Sequence, residues 1–258
     1  MIRGTRLVLA LTAICCAGCA RKPVAWVDID FVTVPAGQFM MGSDKGDSDE
    51  QPIHDVTITQ PFQISRHEIT QSAYEKIVGE NPSRFKDPVR PVERVTWHDA
   101  VSFCRLLTDN ERLTGRLTGS EIFRLPTEEE WEYCCRAGST TIFSFGDEAA
   151  QLAAHAWYRD SAGDGTRPVG QLAPNAWGLH DMHGNVREWC YDLYEDYAAK
   201  VSGIPSKVEA RVHRINRGGG FAAFPRGCRS SDRRGNTPPT RGATIGFRIV
   251  RAPPMDRK

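Results

Sequence analysis

The chain has 258 residues, 40% of them hydrophobic and 25% charged, ordinary values for a globular protein of one large domain or two small ones. Its 23 Gly and 16 Pro argue against a helical bundle and for a loop-rich fold. A net charge of +1 selects no class of partner by itself, so any preference must come from how the charges are distributed.

Residues 1–19 read as an export signal rather than as part of the fold. Arg3 and Arg6 make a short basic region, and Leu7–Ile14 is an apolar run too short to span a bilayer. Cys16-Ala17-Gly18-Cys19 resembles a bacterial lipoprotein cleavage box, which makes Cys19 the expected acylated N-terminus and membrane anchor. Cys16 departs from the aliphatic residue usual at its place, and plain secretion is the alternative. On either reading the mature protein leaves the cytosol for the cell envelope, and nucleic acid is not an expected partner. Residues 20–30 form a tether carrying Trp26, and residues 31–252 a single domain without internal repeats. Five cysteines follow Cys19, namely Cys104, Cys134, Cys135, Cys190 and Cys228. In an oxidising compartment they are disulfide candidates, and their odd number leaves at least one over. Spacing does not fix the connectivity.

Alternation over Phe31–Phe39 predicts a strand, ended by Met40-Met41-Gly42-Ser43 and followed by an acidic loop over Asp44–Gln51. His54–Phe62 and Gln63–Ile69 predict two more strands, with Ile53, Val56, Ile58, Phe62 and Ile64 in the core. Thr70 suits the N-cap of a helix over Gln71–Val78. Asn81–Arg94 is a Pro-rich crossing; Thr96 then opens a helix through Leu107 with Ala100, Phe103, Cys104 and Leu107 on one face. Thr127 and Glu130 form a capping box, which accounts for Glu128-Glu129-Glu130 better than catalysis does. Many short strands, few helices and long ordered loops make an α+β domain.

Pro174–Trp189 crowds two Trp, two Gly, two Asn, two His and two carboxylates into sixteen residues. Neither a 3.6 nor a 2.0 apolar period survives there, so a compact buried loop is expected. Oxygen donors at Asp181, Asn185 and Glu188, with Gly184 allowing a sharp turn, suit a hard cation. A hydrogen-bonded turn without an ion suits the same residues equally well.

Gly178–Trp189 also closely resembles the signature of the formylglycine-generating enzyme (sulfatase-modifying factor) family. Further motifs of the resemblance are Val34–Ser43, Glu68-Ile69-Thr70 with Tyr74, Val95–Ala100, Phe123–Gly138, Arg217-Gly218-Gly219 and Gly246-Phe247-Arg248. The resemblance implies the formylglycine-generating-enzyme variant of the C-type-lectin fold, as a loop-rich single domain. It implies a structural Ca2+ held by the side chains of Asp181 and Glu188 and the carbonyls of Gly184 and Val186. It also implies disulfides Cys190–Cys228 and Cys104–Cys135, with Cys134 left over.

The resemblance weakens at the catalytic thiols. Family members that oxidise a substrate cysteine to formylglycine hold copper on two Cys five positions apart after a Gly-Gly turn. Here the turn is Gly218-Gly219-Gly220-Phe221, Ala223 stands in the first place, and Cys228 in the second. One thiol cannot supply a two-thiolate copper(I) site, so copper is not expected and Cys228 is the one catalytic candidate. A formylglycine-type oxidase acting on protein cysteine, or a related periplasmic oxidase or non-haem iron enzyme, is the rival function. For iron, the histidines at 54, 67, 98, 155, 180, 183 and 213 show no close-spaced ligand signature.

Arg211–Arg251 holds ten Arg and one acid, Asp232. Arg217, Arg229, Arg233 and Arg248 match family positions that look structural, whereas Arg226, Arg234 and Arg241 could favour an anionic ligand or form a solvated face. Residues 221–245 contain no Lys, Glu, Gln, Met or Trp. Adenine-directed randomisation by a diversity-generating retroelement leaves such a composition, and so does chance in a Gly/Pro-rich loop. The expected function is therefore an exported, lipid-anchored, calcium-stabilised display scaffold for an extracytoplasmic protein or small ligand. Phe221, Phe224, Arg226, Asp232, Arg234 and Asn236 are its expected binding residues.

Overall fold

The computed structural model describes residues 23–24, 27–202 and 212–255. Cys19, Trp26 and Arg211 lie outside them. The N-terminal half contributes β1 (Phe31–Val34), β2 (Gly37–Met41), β3 (His54–Ile58), β4 (Phe62–Ser65), α1 (Gln71–Val78) and α2 (Trp97–Leu113). Then come β5 (Ile122–Arg124), α3 (Glu128–Arg136), a short α4 (Arg159–Ala162), β6 (Arg187–Leu193) and α5 (Tyr197–Ser202). The chain closes with β7 (Arg214–Arg217), β8 (Arg233–Asn236), β9 (Ile245–Gly246) and β10 (Val250–Ala252).

These strands make three small sheets. One has the order β1-β4-β10-β5, one is the β2–β3 hairpin, and one has the order β8-β7-β6-β9. All pairings are antiparallel except β6 with β9. The single strand expected over Phe31–Phe39 is two, in different sheets. Pro35 supplies no N–H to a ladder and breaks the run there. Ile53, expected in the core, is 40% exposed just ahead of β3, while Ile58, Phe62 and Ile64 are buried.

The helices start where their caps stand. The hydroxyls of Thr70, Thr96 and Thr127 accept the N–H groups of Ala73, Asp99 and Glu130, and the latter two carboxylates return the bond. Helix α2 runs six residues past Leu107, because Thr108–Leu113 contains neither Gly nor Pro; it stops before Gly115, at φ 72°.

Three apolar clusters fill the interior. The first packs α1 and α2 against Trp189, Phe247 and Ile249, with Tyr74 stacked on Phe103 at 5.6 Å. The second joins β1 and β4 to α3 and the Pro174–Trp189 loop through Val34, Ile64, Trp131 and Leu179. The third gathers Phe143, Leu152, Ala156 and Tyr158.

The expected disulfides are not formed. All five thiols are free and buried, and the partners of each expected pair sit in different clusters. Cys104 belongs to the first, Cys134, Cys135 and Cys190 to the second, and Cys228 to the third.

Candidate functional site

Within Pro174–Trp189 the segment Asp181–Val186 is buried throughout, and no ladder supports the loop before β6 begins at Arg187. Side chains do that work. The Asn175 carbonyl oxygen accepts the N–H groups of Trp177 and Leu179, and its amide donates to the carbonyls of Cys134 and Cys135. Asp181 and Asn185 adopt left-handed φ of 61° and 60°, which short polar side chains tolerate. Gly184, read above as a turn former, has no positive φ. It is needed because a Cβ there would strike the Trp157 carbonyl.

Three buried carboxylates surround this loop and one guanidinium faces them. Glu188 takes a two-point pair from Arg248 at 2.6 and 2.8 Å, and Oε2 also accepts the Trp131 indole N–H at 2.7 Å. Glu68 braces the loop from the link between β4 and α1, accepting the Val186 N–H at 3.0 Å and the Asn185 amide at 2.8 Å. Asp181 Oδ2 accepts the Gly170 N–H at 2.7 Å, while Oδ1 is buried without a partner. Burial, then the neighbouring Asp181 and Glu188 charges, hold Glu68 well above the usual carboxylate range; burial raises Asp181 too. The donor set therefore fits a hard cation on the Asp181 side. On the Glu188 side Arg248 already supplies the positive charge.

The other tail arginines expected to be structural are also sunk against glutamates from far along the chain. Arg217 pairs with Glu132, Arg233 with Glu128 at 2.8 Å, and Arg229 with Glu50 at 2.6 Å. Among the described residues, Asp47, Glu50 and Asp232 form the one group of three side chains within metal-ligand reach of one another. It contains no imidazole, and the guanidiniums of Arg187, Arg229 and Arg234 fill it.

The expected binding residues divide. Phe224, 54% exposed, and Arg226 reach solvent on the turn after Gly220; Phe221 is half-buried and meets Phe85 edge-on at 5.4 Å. Arg234 is exposed but faces Asp47 and Asp232. Asp232 must be withdrawn from the surface set: it is 1% exposed and tied to Arg187 at 3.0 Å. Asn236 accepts the Asn216 amide at 2.7 Å inside the sheet and is half-buried. Residues 227–233 are buried throughout, so the biased 221–245 stretch is only partly a surface.

Sequence reasoning missed what surrounds this turn. Arg159 lies over the Phe224 ring at 4.3 Å and donates its backbone N–H to Ala223. Phe85 carries Arg84 over its own ring at 5.3 Å. Local composition holds no sign of either, because Phe85 sits in the Pro-rich crossing and Arg159 in the stretch 143–173, which carries no regular apolar period.

Cys228 is a poor nucleophile here. It is fully buried, burial pushes its thiol up to about 12, and Ala223 occupies the other thiol position. The residues present do not fit a two-thiolate copper site. His183, also buried, bonds the Cys228 carbonyl at 2.7 Å through Nδ1 and faces the Ser144 hydroxyl at 2.8 Å; burial lowers it to about 4.

Residues 21–253 match the family described as sulfatase-modifying factor enzyme 1-like domain. The chain is 30% identical over 252 residues to the chaperone protein LppX of Paenibacillus barcinonensis, covering 80% of this chain and 84% of that one. Other curated relatives are longer, and the chain spans 38% of the length of the Chlamydia caviae serine/threonine-protein kinase pkn1. Among solved structures, PvdO from Pseudomonas aeruginosa superposes with TM-score 0.73 at 32% identity, covering 90% of this chain and 99% of that one. Treponema denticola variable protein 1 gives TM-score 0.76 at 26% identity, covering 89% and 97%. With a motif set, an α+β fold and a family match that all run through the same residues, this chain belongs to the sulfatase-modifying factor (formylglycine-generating enzyme) family and has its C-type-lectin-like fold.

Proposed function

We propose that this protein is an exported, lipid-anchored binding scaffold of the family, displaying the turn at Phe221–Arg226 to an extracytoplasmic ligand. One observation carries the reading. Where the oxidase needs two reactive thiols, the chain has Ala223 and a buried Cys228 whose proton is held up to about 12. The same turn instead offers an exposed phenyl ring and an exposed guanidinium at Phe224 and Arg226. Calcium is part of the proposal, as a structural ion held through Asp181 with the carbonyls of Gly184 and Val186; the unpartnered Asp181 Oδ1 supports it. Its chemistry would be charge neutralisation within the loop.

Retroelement-driven variation of 221–245 is a finer part of the same reading. It is supported by the stretch's missing residue types and by the likeness to a protein named as variable. A reverse transcriptase gene beside a near-identical template repeat would bear it out, and a neighbourhood without one would remove it.

The test of function is an incubation of the mature protein with copper(I), oxygen and a cysteine peptide, followed by mass spectrometry. No peptide aldehyde is expected. An aldehyde formed by the wild type and lost in Cys228→Ser would replace the scaffold with an oxidase.

A further inference from the structure

The face around the Phe221–Arg226 turn is built from that turn, the Arg84–Phe85 loop and the start of α4, which alternate cation and ring. Arg84 covers Phe85, Phe85 meets Phe221 edge-on, and Arg159 covers Phe224. Arg226 stands exposed two residues beyond Phe224. Arg84, Arg159 and Arg226 are all exposed, and none has an ion-pair partner among the described residues. The nearby acids give them no relief: Asp232 is buried on Arg187, and Asp87 pairs with Arg90. Two exposed acids accompany the set: Asp160, next to Arg159, and Asp164, whose neighbour Gly165 lies against the Phe85 ring.

A guanidinium lying flat on a phenyl ring keeps its N–H edges outward and loses little freedom when it forms a two-point bond to a carboxylate. Phe224, 54% exposed, supplies an apolar surface beside the Arg159 guanidinium, and large exposed apolar groups beside cations are how binding faces anchor a partner. The cations are spaced by rings and do not form an unbroken basic stripe. That pattern suits alternating acidic and apolar side chains better than the evenly charged track of a sulfated polysaccharide.

We propose that this face binds an acidic, aromatic-bearing peptide segment of a protein partner, its carboxylates on Arg84, Arg159 and Arg226 and an apolar side chain on Phe224. The proposal rests on the scaffold reading and adds the class of ligand to it.

The test uses fluorescence anisotropy of the whole mature protein with a labelled peptide of alternating Glu and Phe. The same peptide with Lys in place of Glu, and heparin, are the comparison probes. Saturable binding of the Glu–Phe peptide is expected, weakening as salt rises. Arg159→Glu, Arg226→Glu and Phe224→Ala should each weaken it about tenfold or more, as anchors of a small interface do. Arg105→Glu, an exposed arginine of α2, serves as the charge control and should bind as the wild type does, with circular dichroism confirming that every variant is folded. Equal affinity for the Lys peptide overturns the proposal, as does full affinity in Arg84→Glu/Arg159→Glu/Arg226→Glu. Binding of heparin without the peptide, or of neither, also overturns it, while leaving the scaffold reading to the aldehyde assay.

Discussion

Two sets of arginines divide this molecule. Arg217, Arg229, Arg233 and Arg248 are buried, each on a glutamate supplied from elsewhere in the chain. Arg84, Arg159 and Arg226 stand in solvent with rings or no partner beside them. A buried guanidinium has lost its water and is tolerated only with its acid in place, whereas an exposed one is free to bind something else. A stretch with ten Arg and one acid is thus not a basic surface in itself. Glu50, Glu128, Glu132 and Glu188 arrive from outside the Arg211–Arg251 stretch and neutralise much of it.

The contrast breaks most sharply at the buried pairs. Arg248→Met leaves Glu188 charged and unpaired, and should cost about 3–5 kcal/mol in urea denaturation. Arg248→Met/Glu188→Gln should recover much of that loss. A cost for the single variant no larger than that of a surface change would mean the buried set is not holding the loop.

Next in size is a pH effect at His183, which burial lowers to about 4 from its ordinary 6.5. A base with a depressed folded value stabilises above the unfolded value, so its contribution is present above pH 6.5 and lost as the pH falls through about 4. The loss should approach about 3 kcal/mol and disappear in His183→Gln. Asp181 and Glu68, raised by burial, act in the opposite sense. Their folded forms keep protons that the unfolded chain has released, so their contribution grows as the pH falls toward the usual carboxylate range. The difference between wild type and His183→Gln isolates the imidazole.

Calcium sharpens the comparison on the loop's other side. Addition should raise the unfolding free energy by about 2.7 kcal/mol at a hundredfold excess over Kd. Asp181→Asn should abolish that gain, and it should also flatten the acid-side rise. A wild type indifferent to calcium and to chelator would leave the loop held by Arg248 on Glu188, with no ion at Asp181. The smallest effect belongs to the exposed set: Arg226→Ala should move stability by less than about 0.5 kcal/mol in the same denaturation experiment. A larger loss would place Arg226 with the structural arginines.

How much of this was legible in the sequence follows from range. The caps at Thr70, Thr96 and Thr127 are signals within four residues, and the helices begin there. The family motifs carried the fold. The partners of Arg217, Arg229, Arg233 and Arg248 lie 60 or more residues away, so spacing could mark them as special without saying what they touch. Pairing the cysteines failed for a related reason, because it needed to know which of three clusters each thiol enters. At the Phe221–Arg226 turn, Phe224 and Arg226 were readable as exposed candidates, but burial of Asp232 depends on Arg187 reaching it from β6.

The most direct measurement is a thiol titration of the protein beginning at residue 20, folded and then unfolded. The account predicts no reactive thiol in the native state at neutral pH and five after denaturation. A native Cys228 that reacts as a thiolate, or a total short of five, would contradict it.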